Sequence, residues 1–193
     1  MAQAQYTDKA AVENYLLISI DNSFDSQLEG WINAVSKHIE QITGRVILAD
    51  DAASTRLYAI DGWHTRLVID DCVEVTKVET GDTYGDNFSE NTDYVLLPLN
   101  ETPKNAVVLK NQAWPRGTHR ITAKWGSYVD VPDDIAFVAT VLVAGIVNAQ
   151  VGTGTAKKSE RIGAYTIQYA DDRGINDYDR VMAILDTYKR YTL

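Results

Sequence analysis

Residue types that build metal sites and disulfides are scarce in this 193-residue chain, which has one cysteine, Cys72, and three histidines. A single cysteine excludes an internal disulfide and every zinc or iron–sulfur site that needs several cysteines, and it suits a reducing compartment. The histidines, His38, His64 and His119, are far apart and form no His-x-x-x-His pair, and no acidic residue stands at metal-ligand spacing from His38 or His119. We therefore expect no metal and no cofactor.

Catalytic signatures are also missing. There is no Gly-x-Ser-x-Gly turn, and Cys72 has no candidate base nearby in sequence. The Gly/Thr/Lys segment at 152–158 follows a predicted helix and lacks the Gly-Lys-Ser/Thr ending of a phosphate-binding loop. Adjacent acid pairs such as Asp70-Asp71 and Asp133-Asp134 are typical of turns and helix starts. We expect a protein that is not an enzyme.

Basic residues are outnumbered by acidic ones, with 18 Lys and Arg against 27 Asp and Glu, which gives a formal net charge of -9. This balance opposes attraction to phosphates and argues against a sequence-specific DNA-binding protein. No signal peptide is evident, so we expect cytoplasmic synthesis. The longest apolar stretch, residues 135–147, is shorter than the ~18 residues of a membrane span and follows Asp133 and Asp134, so it predicts a buried core helix and no membrane.

The sequence predicts four helices, with the clearest helical periodicity in the second. Apolar residues recur every three or four positions after Phe24, and Gly44 supplies a stop signal. Pro132 with its following acids starts a helix whose apolar residues lie almost all round, so it should be central, with Trp31 and Leu142 buried. The predicted helices cover residues 8–16, 24–43, 132–150 and 177–190, the last capped by Asn176 or Asp177.

Between the second and third helices the pattern changes to short β-rich runs separated by turn residues. The predicted strands are residues 55–60, 66–69, 73–78, 94–97, 106–109 and 119–125. A further strand over 164–169 precedes the last helix, and residues 151–160 form a loop. The fold class is therefore α+β, a helical bundle with an inserted antiparallel β-sheet region. Residues 1–53 and 127–193 form the helical core, and residues 54–126 form the β insert.

The aromatic residues of the insert leave alternatives open. Trp63, Tyr84, Trp114 and Trp125 suit the core of the sheet or a subunit interface, but they could also form a stacking platform. A glycan-binding module using this platform is therefore an alternative function. A hydrolase is a further one, and it would need some of the carboxylates or histidines to converge in one pocket.

The order of these segments resembles the head-to-tail adaptor proteins of long-tailed bacteriophages, also called head-completion or connector proteins. The resemblance covers nearly the whole chain and is carried by three phrases in order. They are AVSKHIEQITGR at 34–45, WGSYVDVPDDI at 125–135 and KSERIGAYTI at 158–167. The β insert is the divergent part.

This resemblance implies a structural virion protein at the neck. It implies a homo-oligomeric ring, commonly of twelve subunits, between the portal protein and a stopper or tail-terminator protein. Double-stranded DNA would pass through the ring during packaging and ejection without sequence-specific binding, and an acidic chain suits such a channel because it does not grip phosphates.

Two segments are candidate contact sites. The resemblance puts the end of the last helix at the portal, and aromatic and cationic side chains there match the composition of binding hot spots. The predicted portal-binding residues are Tyr188, Lys189, Arg190 and Tyr191. The loop before the last strand combines small residues with two lysines and no apolar anchor, which predicts a subunit contact or a channel lining. Its residues are Thr153, Thr155, Lys157 and Lys158.

Overall fold

A computed structural model describes residues 5–82, 85, 87–151, 159–162, 165–168 and 173–190. Within them the chain is α+β, with four helices and eight strands. The helices are α1 Lys9–Leu16, α2 Asp25–Thr43, α3 Asp133–Val151 and α4 Arg173–Tyr188. The strands are β1 Ser54–Ile60, β2 Leu67–Gly81, β3 Phe88–Glu90, β4 Tyr94–Leu97, β5 Lys104–Leu109, β6 Gly117–Trp125, β7 Ser159–Ile162 and β8 Tyr165–Gln168.

The chain divides into two compact units. Unit 1 comprises Met1–Gly44 and Pro132–Leu193, and unit 2 comprises Arg45–Val131. The expected division lay at residues 54 and 126. The structure moves both borders outward because the segments flanking the sheet bond to each other: the Ser127 amide donates to Val46, and the Ala49 amide donates to the carbonyl of Tyr128.

The first two helices of unit 1 lie within one residue of the predicted ranges 8–16 and 24–43. The side chain of Asp8 caps α1 by accepting a hydrogen bond from the amide of Ala11 at 2.8 Å. Gly44 ends α2 in the left-handed conformation, at φ 66°. The buried face of α2 includes Leu28, Ile32, Val35 and Ile39, as its periodicity predicts.

Helix α3 is central in unit 1 but is not covered all round. Its buried residues are Ile135, Val138, Ala139, Thr140, Val143, Ala144 and Val147. By length and composition the stretch Asp133–Gln150 could span a membrane, and 39% of it is buried. The predictions that Leu142 and Trp31 are buried are wrong, since both are only half-buried. A helix that is apolar all round has no periodicity to indicate which side the protein covers.

The segment after α3 differs from the prediction. Strands β7 and β8 pair as an antiparallel hairpin, so Ser159 and Glu160 belong to a strand and not to the predicted loop. Helix α4 begins at Arg173, so Asn176 and Asp177 lie inside it and are not its cap. Asn and Asp have low helix propensity, but that preference is weak and does not by itself fix where a helix begins.

Unit 2 is built on an antiparallel sheet with strand order β1-β6-β2-β5-β4 and with β3 paired to β2. Strand β2 runs through Asp70, Asp71 and Cys72, where two separate strands were predicted, because register shifts between Val68 and Cys72 and again beyond Cys72 let it bend without ending. Its first part pairs with β5 and its later part with β6. The short strand β3 was not predicted.

A glycine and a buried ion pair fix the ends of unit 2. Gly126 has φ 141°, and a Cβ there would lie 2.4 Å from the Cα of Ala49, so a side chain cannot be accommodated. Beside it, Asp71 is buried and accepts hydrogen bonds from Arg45 at 3.1 Å and from the hydroxyl of Ser127 at 3.3 Å. These contacts hold the entering and leaving segments of the sheet side by side.

Candidate interaction surfaces

Each described residue of the C-terminal segment makes at least one contact within unit 1. The hydroxyl of Tyr188 donates to a carboxylate oxygen of Asp134 at 2.6 Å, and the ammonium of Lys189 lies 2.6 Å from Asp186. The amide of Arg190 donates to the carbonyl of Thr43 at 3.0 Å. All three side chains are partly exposed. The segment is therefore an ordered strip at the ends of α2 and α4 and at the beginning of α3.

Five of the eight predicted contact residues lie outside the described residues. They are Thr153, Thr155, Lys157, Lys158 and Tyr191. For those five positions the predicted contacts rest on the sequence alone, and the structure describes only Tyr188, Lys189 and Arg190.

The aromatic residues of unit 2 that the structure describes do not form a platform. Trp114 and Trp125 are buried, and their indole N–H groups donate to the carbonyls of Val107 and Ser54 at 2.9 and 2.8 Å. Tyr84 lies outside the described residues. A stacking platform needs adjacent exposed rings, so the geometry does not support the glycan-binding alternative.

Trp63 is the exception, because 75% of its surface is exposed to solvent. It lies in the loop after β1, which is tied to the loop after β5 by two backbone hydrogen bonds between His64 and Trp114, at 3.1 and 2.8 Å. Because Trp114 is anchored in the core, the position of Trp63 is fixed although its ring is in solvent. We call Trp63 and the two loop arginines, Arg66 and Arg116, the Trp63 tip.

A second exposed apolar group lies in unit 1 at the turn between α1 and α2. Leu17 is 90% exposed, and Tyr15 and Ile18 beside it are 41% and 43% exposed. The ring of Tyr15 packs edge-on against the half-buried Phe137 of α3, with centroids 6.3 Å apart. We call these four residues the Leu17 surface. Sequence analysis missed it, although an apolar pair directly after a helix without a glycine stop is a usable signal.

A charged cluster stabilises the end of the sheet. Glu79 is buried on β2, and Arg120 of β6 donates two hydrogen bonds to it, both at 2.7 Å. Lys77 lies 2.9 Å from the same carboxylate, and the Arg120 guanidinium stacks 4.2 Å from the ring centroid of Phe88. Arg120 is the main cause that lowers the pKa of Glu79 to about 2. This arrangement neutralises a buried carboxylate and has no acid–base function at neutral pH.

Cys72 and His119 are engaged in packing. The thiol of Cys72 is buried, which raises its pKa to about 11 and leaves it protonated. His119 is buried with its ring edge-on to Trp114, and burial lowers its pKa. Neither group is poised for nucleophilic or acid–base chemistry. Among the described residues no group of three or more His, Cys, Asp and Glu could hold a metal ion.

Three carboxylates of the acidic pairs have structural partners within their own unit. Asp70 pairs with Arg56 at 2.7 Å, whereas Asp71 pairs with Arg45. Asp134 accepts from the amide of Ile135 at 3.0 Å and from Tyr188, as expected at the start of a helix. Each of these carboxylates has a structural partner of its own, so the geometry gives no support to the hydrolase alternative.

No protein-family model matches this chain, and no curated protein matches it in sequence. Solved structures match it in fold. A chain from the neck of an empty gene transfer agent particle, computed with C6 symmetry, has a TM-score of 0.62 at 14% identity, covering 95% of this chain and 89% of that one. A chain from the neck of the native particle, computed with C12 symmetry, has a TM-score of 0.56 at 14% identity, covering 100% and 97%. A chain from the virion of the native particle has a TM-score of 0.53 at 16% identity, covering 95% and 89%. This chain therefore has a fold that is found in the necks of gene transfer agent particles.

Proposed function

We propose that this chain is a structural virion protein of the neck of a long-tailed phage or phage-like particle. It forms a homo-oligomeric ring, of about twelve subunits by the C12 neck, that joins the portal protein to a stopper or tail-terminator protein. The observation that carries the proposal is the likeness in fold, over 95% and 100% of this chain, to chains of necks with C6 and C12 symmetry.

The charge of the chain supports a conduit for double-stranded DNA. A ring of subunits with a net charge of -9 each repels the phosphate backbone, so DNA can move through it during packaging and ejection without being held. In this proposal the loop at 152–158 lines the channel or contacts a neighbouring subunit. Replacing Lys157 and Lys158 by Glu should then alter DNA retention while the subunit fold stays intact, and unchanged particles would contradict the role.

The C-terminal strip is the proposed portal contact. Its backbone is held by the bond from the Arg190 amide to Thr43, and the Tyr188 hydroxyl and the Lys189 ammonium each contact a carboxylate, so these groups are positioned before a partner arrives. Preorganised aromatic and arginine side chains lose little conformational entropy on binding. Tyr188, Lys189, Arg190 and Tyr191 together present this chemistry.

Two experiments test the proposal. Electron microscopy of the purified chain should show end-on rings with a central channel, and particles that remain monomeric at every concentration would contradict it. For the portal, the chain is added to tailless, portal-bearing heads. The variant Lys189→Glu with Arg190→Glu keeps the backbone bond to Thr43 and should lose attachment with an unchanged circular-dichroism spectrum.

A matched control separates portal binding from folding. Lys110→Glu changes the charge of an exposed lysine that pairs with Asp93 in unit 2, where both side chains are more than half exposed. It should attach as well as the wild type. Equal attachment by the double Glu variant would refute portal docking by this strip while leaving the ring itself untouched.

A further inference from the structure

Leu17 combines an unfavourable backbone conformation with an exposed side chain. It adopts φ 56° and ψ 37°, the left-handed region that disfavours a bulky L-residue. It is also the most exposed large apolar side chain among the described residues, at 90%. Both features reduce the stability of the subunit, and a glycine or asparagine at this helix end would avoid them. Strained residues of this kind cluster at functional and binding sites.

Glu13 fixes the turn that presents Leu17. Its carbonyl accepts hydrogen bonds from the amides of Leu17 and Ile18, and its side chain accepts from the amide of Ile20 at 2.7 Å. Ile20 is itself buried. The turn is therefore rigid on both sides of Leu17, and the side chain is preorganised for a contact.

The exposed apolar area continues from this turn onto α3. Tyr15 leads to Phe137, and Val141 follows one helical turn along and is also half-buried. Arg180 of α4 closes this side with its guanidinium 5.3 Å from the centroid of Phe137. A contiguous exposed apolar surface of this kind marks an interaction site.

The N-terminal segment that carries Leu17 is acidic, whereas Arg180 places one cation beside Phe137. Residues 5–44 carry six acidic and two basic side chains, namely Asp8, Glu13, Asp21, Asp25, Glu29 and Glu40 against Lys9 and Lys37. An anionic lipid surface or DNA is repelled by this balance. A partner that presents an apolar group flanked by cations is attracted.

Another copy of this chain presents such a group. The Trp63 tip carries a Trp ring that is 75% exposed, second only to Leu17 among the large apolar side chains described. Arg66 and Arg116 are exposed on the same pair of loops, and neither forms an ion pair with a described residue. Trp and Arg are the residue types enriched at binding hot spots.

A closed ring requires this kind of pairing. Each subunit of a cyclic oligomer larger than a dimer uses two different surfaces, one for each neighbour. We propose that the Leu17 surface of one copy packs against the Trp63 tip of the next copy, and this inference rests on the ring of the proposed function. Apolar contact supplies the binding energy, and the acid–arginine match sets the orientation.

Cross-linking tests the pairing directly because Cys72 is buried. Ser19→Cys and Thr65→Cys place exposed thiols beside the two surfaces without altering Leu17 or Trp63. Wild-type-like rings assembled from a mixture of the two single variants should give a dimer with a short bis-maleimide. Neither variant alone should do so, nor should Ser19→Cys mixed with Leu99→Cys. The proposal would be overturned if the mixture of Ser19→Cys and Thr65→Cys forms rings but gives no cross-linked dimer.

Leu17→Gly separates assembly from folding. It removes the side chain and relieves the backbone, so the isolated subunit should melt at a higher temperature than the wild type while the protein concentration needed for rings rises about tenfold or more. Trp63→Asp should weaken rings similarly, and Leu99→Asp, at a residue 66% exposed in another loop, should not. Unchanged assembly of Leu17→Gly would refute the contact. A wild type that forms no ring would instead refute the proposed function.

Discussion

The clamp between Glu79 and Arg120 gives a sharp quantitative prediction for unit 2. Arg120→Ala removes both guanidinium hydrogen bonds from the carboxylate of Glu79, a residue that is 4% exposed. Among the described residues, Lys77 then remains as the cation that pairs with Glu79. Lowering the pKa of Glu79 from 4.5 to about 2 corresponds to a ceiling of ~3 kcal/mol, at ~1.4 kcal/mol per pKa unit. Solvent reaches Arg120 and Lys77, which are 35% and 41% exposed, and screening reduces the expected loss to ~2 kcal/mol.

Urea unfolding followed by tryptophan fluorescence measures this loss, because Trp63, Trp114 and Trp125 all lie in unit 2. Lys110→Ala is the control, since its pair with Asp93 is exposed on both sides and should be worth less than ~1 kcal/mol.

The pH dependence of the same variants gives an independent check. The pKa of Glu79 is lower in the folded state than its ordinary value of 4.5, so its stabilising effect is complete above that value and is lost as the pH falls toward 2. The difference in unfolding free energy between wild type and Arg120→Ala should therefore become smaller as the pH falls from 7 to about 3.5. A difference that is the same at both pH values, or no larger than that of Lys110→Ala, would refute the reasoning.

Three further results are expected. Burial lowers the pKa of His119 from its ordinary value of 6.5, so NMR should find the ring still mainly neutral at pH 6.5. Because the unfolded chain takes up this proton first, the folded state should lose stability as the pH falls through 6.5. A ring that is mainly protonated at pH 6.5 would contradict this. Cys72 should react with maleimide only after unfolding, because its thiol is buried with a pKa of about 11. Leu28→Ala should cost ~2–5 kcal/mol of unfolding free energy, and Leu142→Ala less, since Leu28 is 2% exposed and Leu142 is half-buried; equal losses contradict this.

The predictions that the structure confirms depend on patterns within one element. Gly44 acts through the backbone of the last turn of α2, so its effect on the end of that helix is visible in sequence. The buried face of α2 follows from its period in the same way. The change from helical to β-rich segments near residue 54, and back near residue 132, likewise predicts the α+β class.

The predictions that failed depend on contacts between distant segments. Whether Asp70-Asp71 ends a strand is decided by their partners, Arg56 and Arg45, which let β2 continue through a bend. Trp63 and Trp114 look alike in sequence, and only the packing of the sheet makes one a surface residue and the other a core residue.

The sequence by itself determined the order of the helical and β-rich segments of this protein and its acidic charge, because these follow from local backbone preferences and composition. The tertiary structure alone decided what those elements leave exposed. An apolar helix such as α3 has no sequence signal for its uncovered side, and Leu17 is strained only because Glu13 holds the turn. Interaction surfaces are what remains after the core is packed, and packing joins residues that are far apart in the chain.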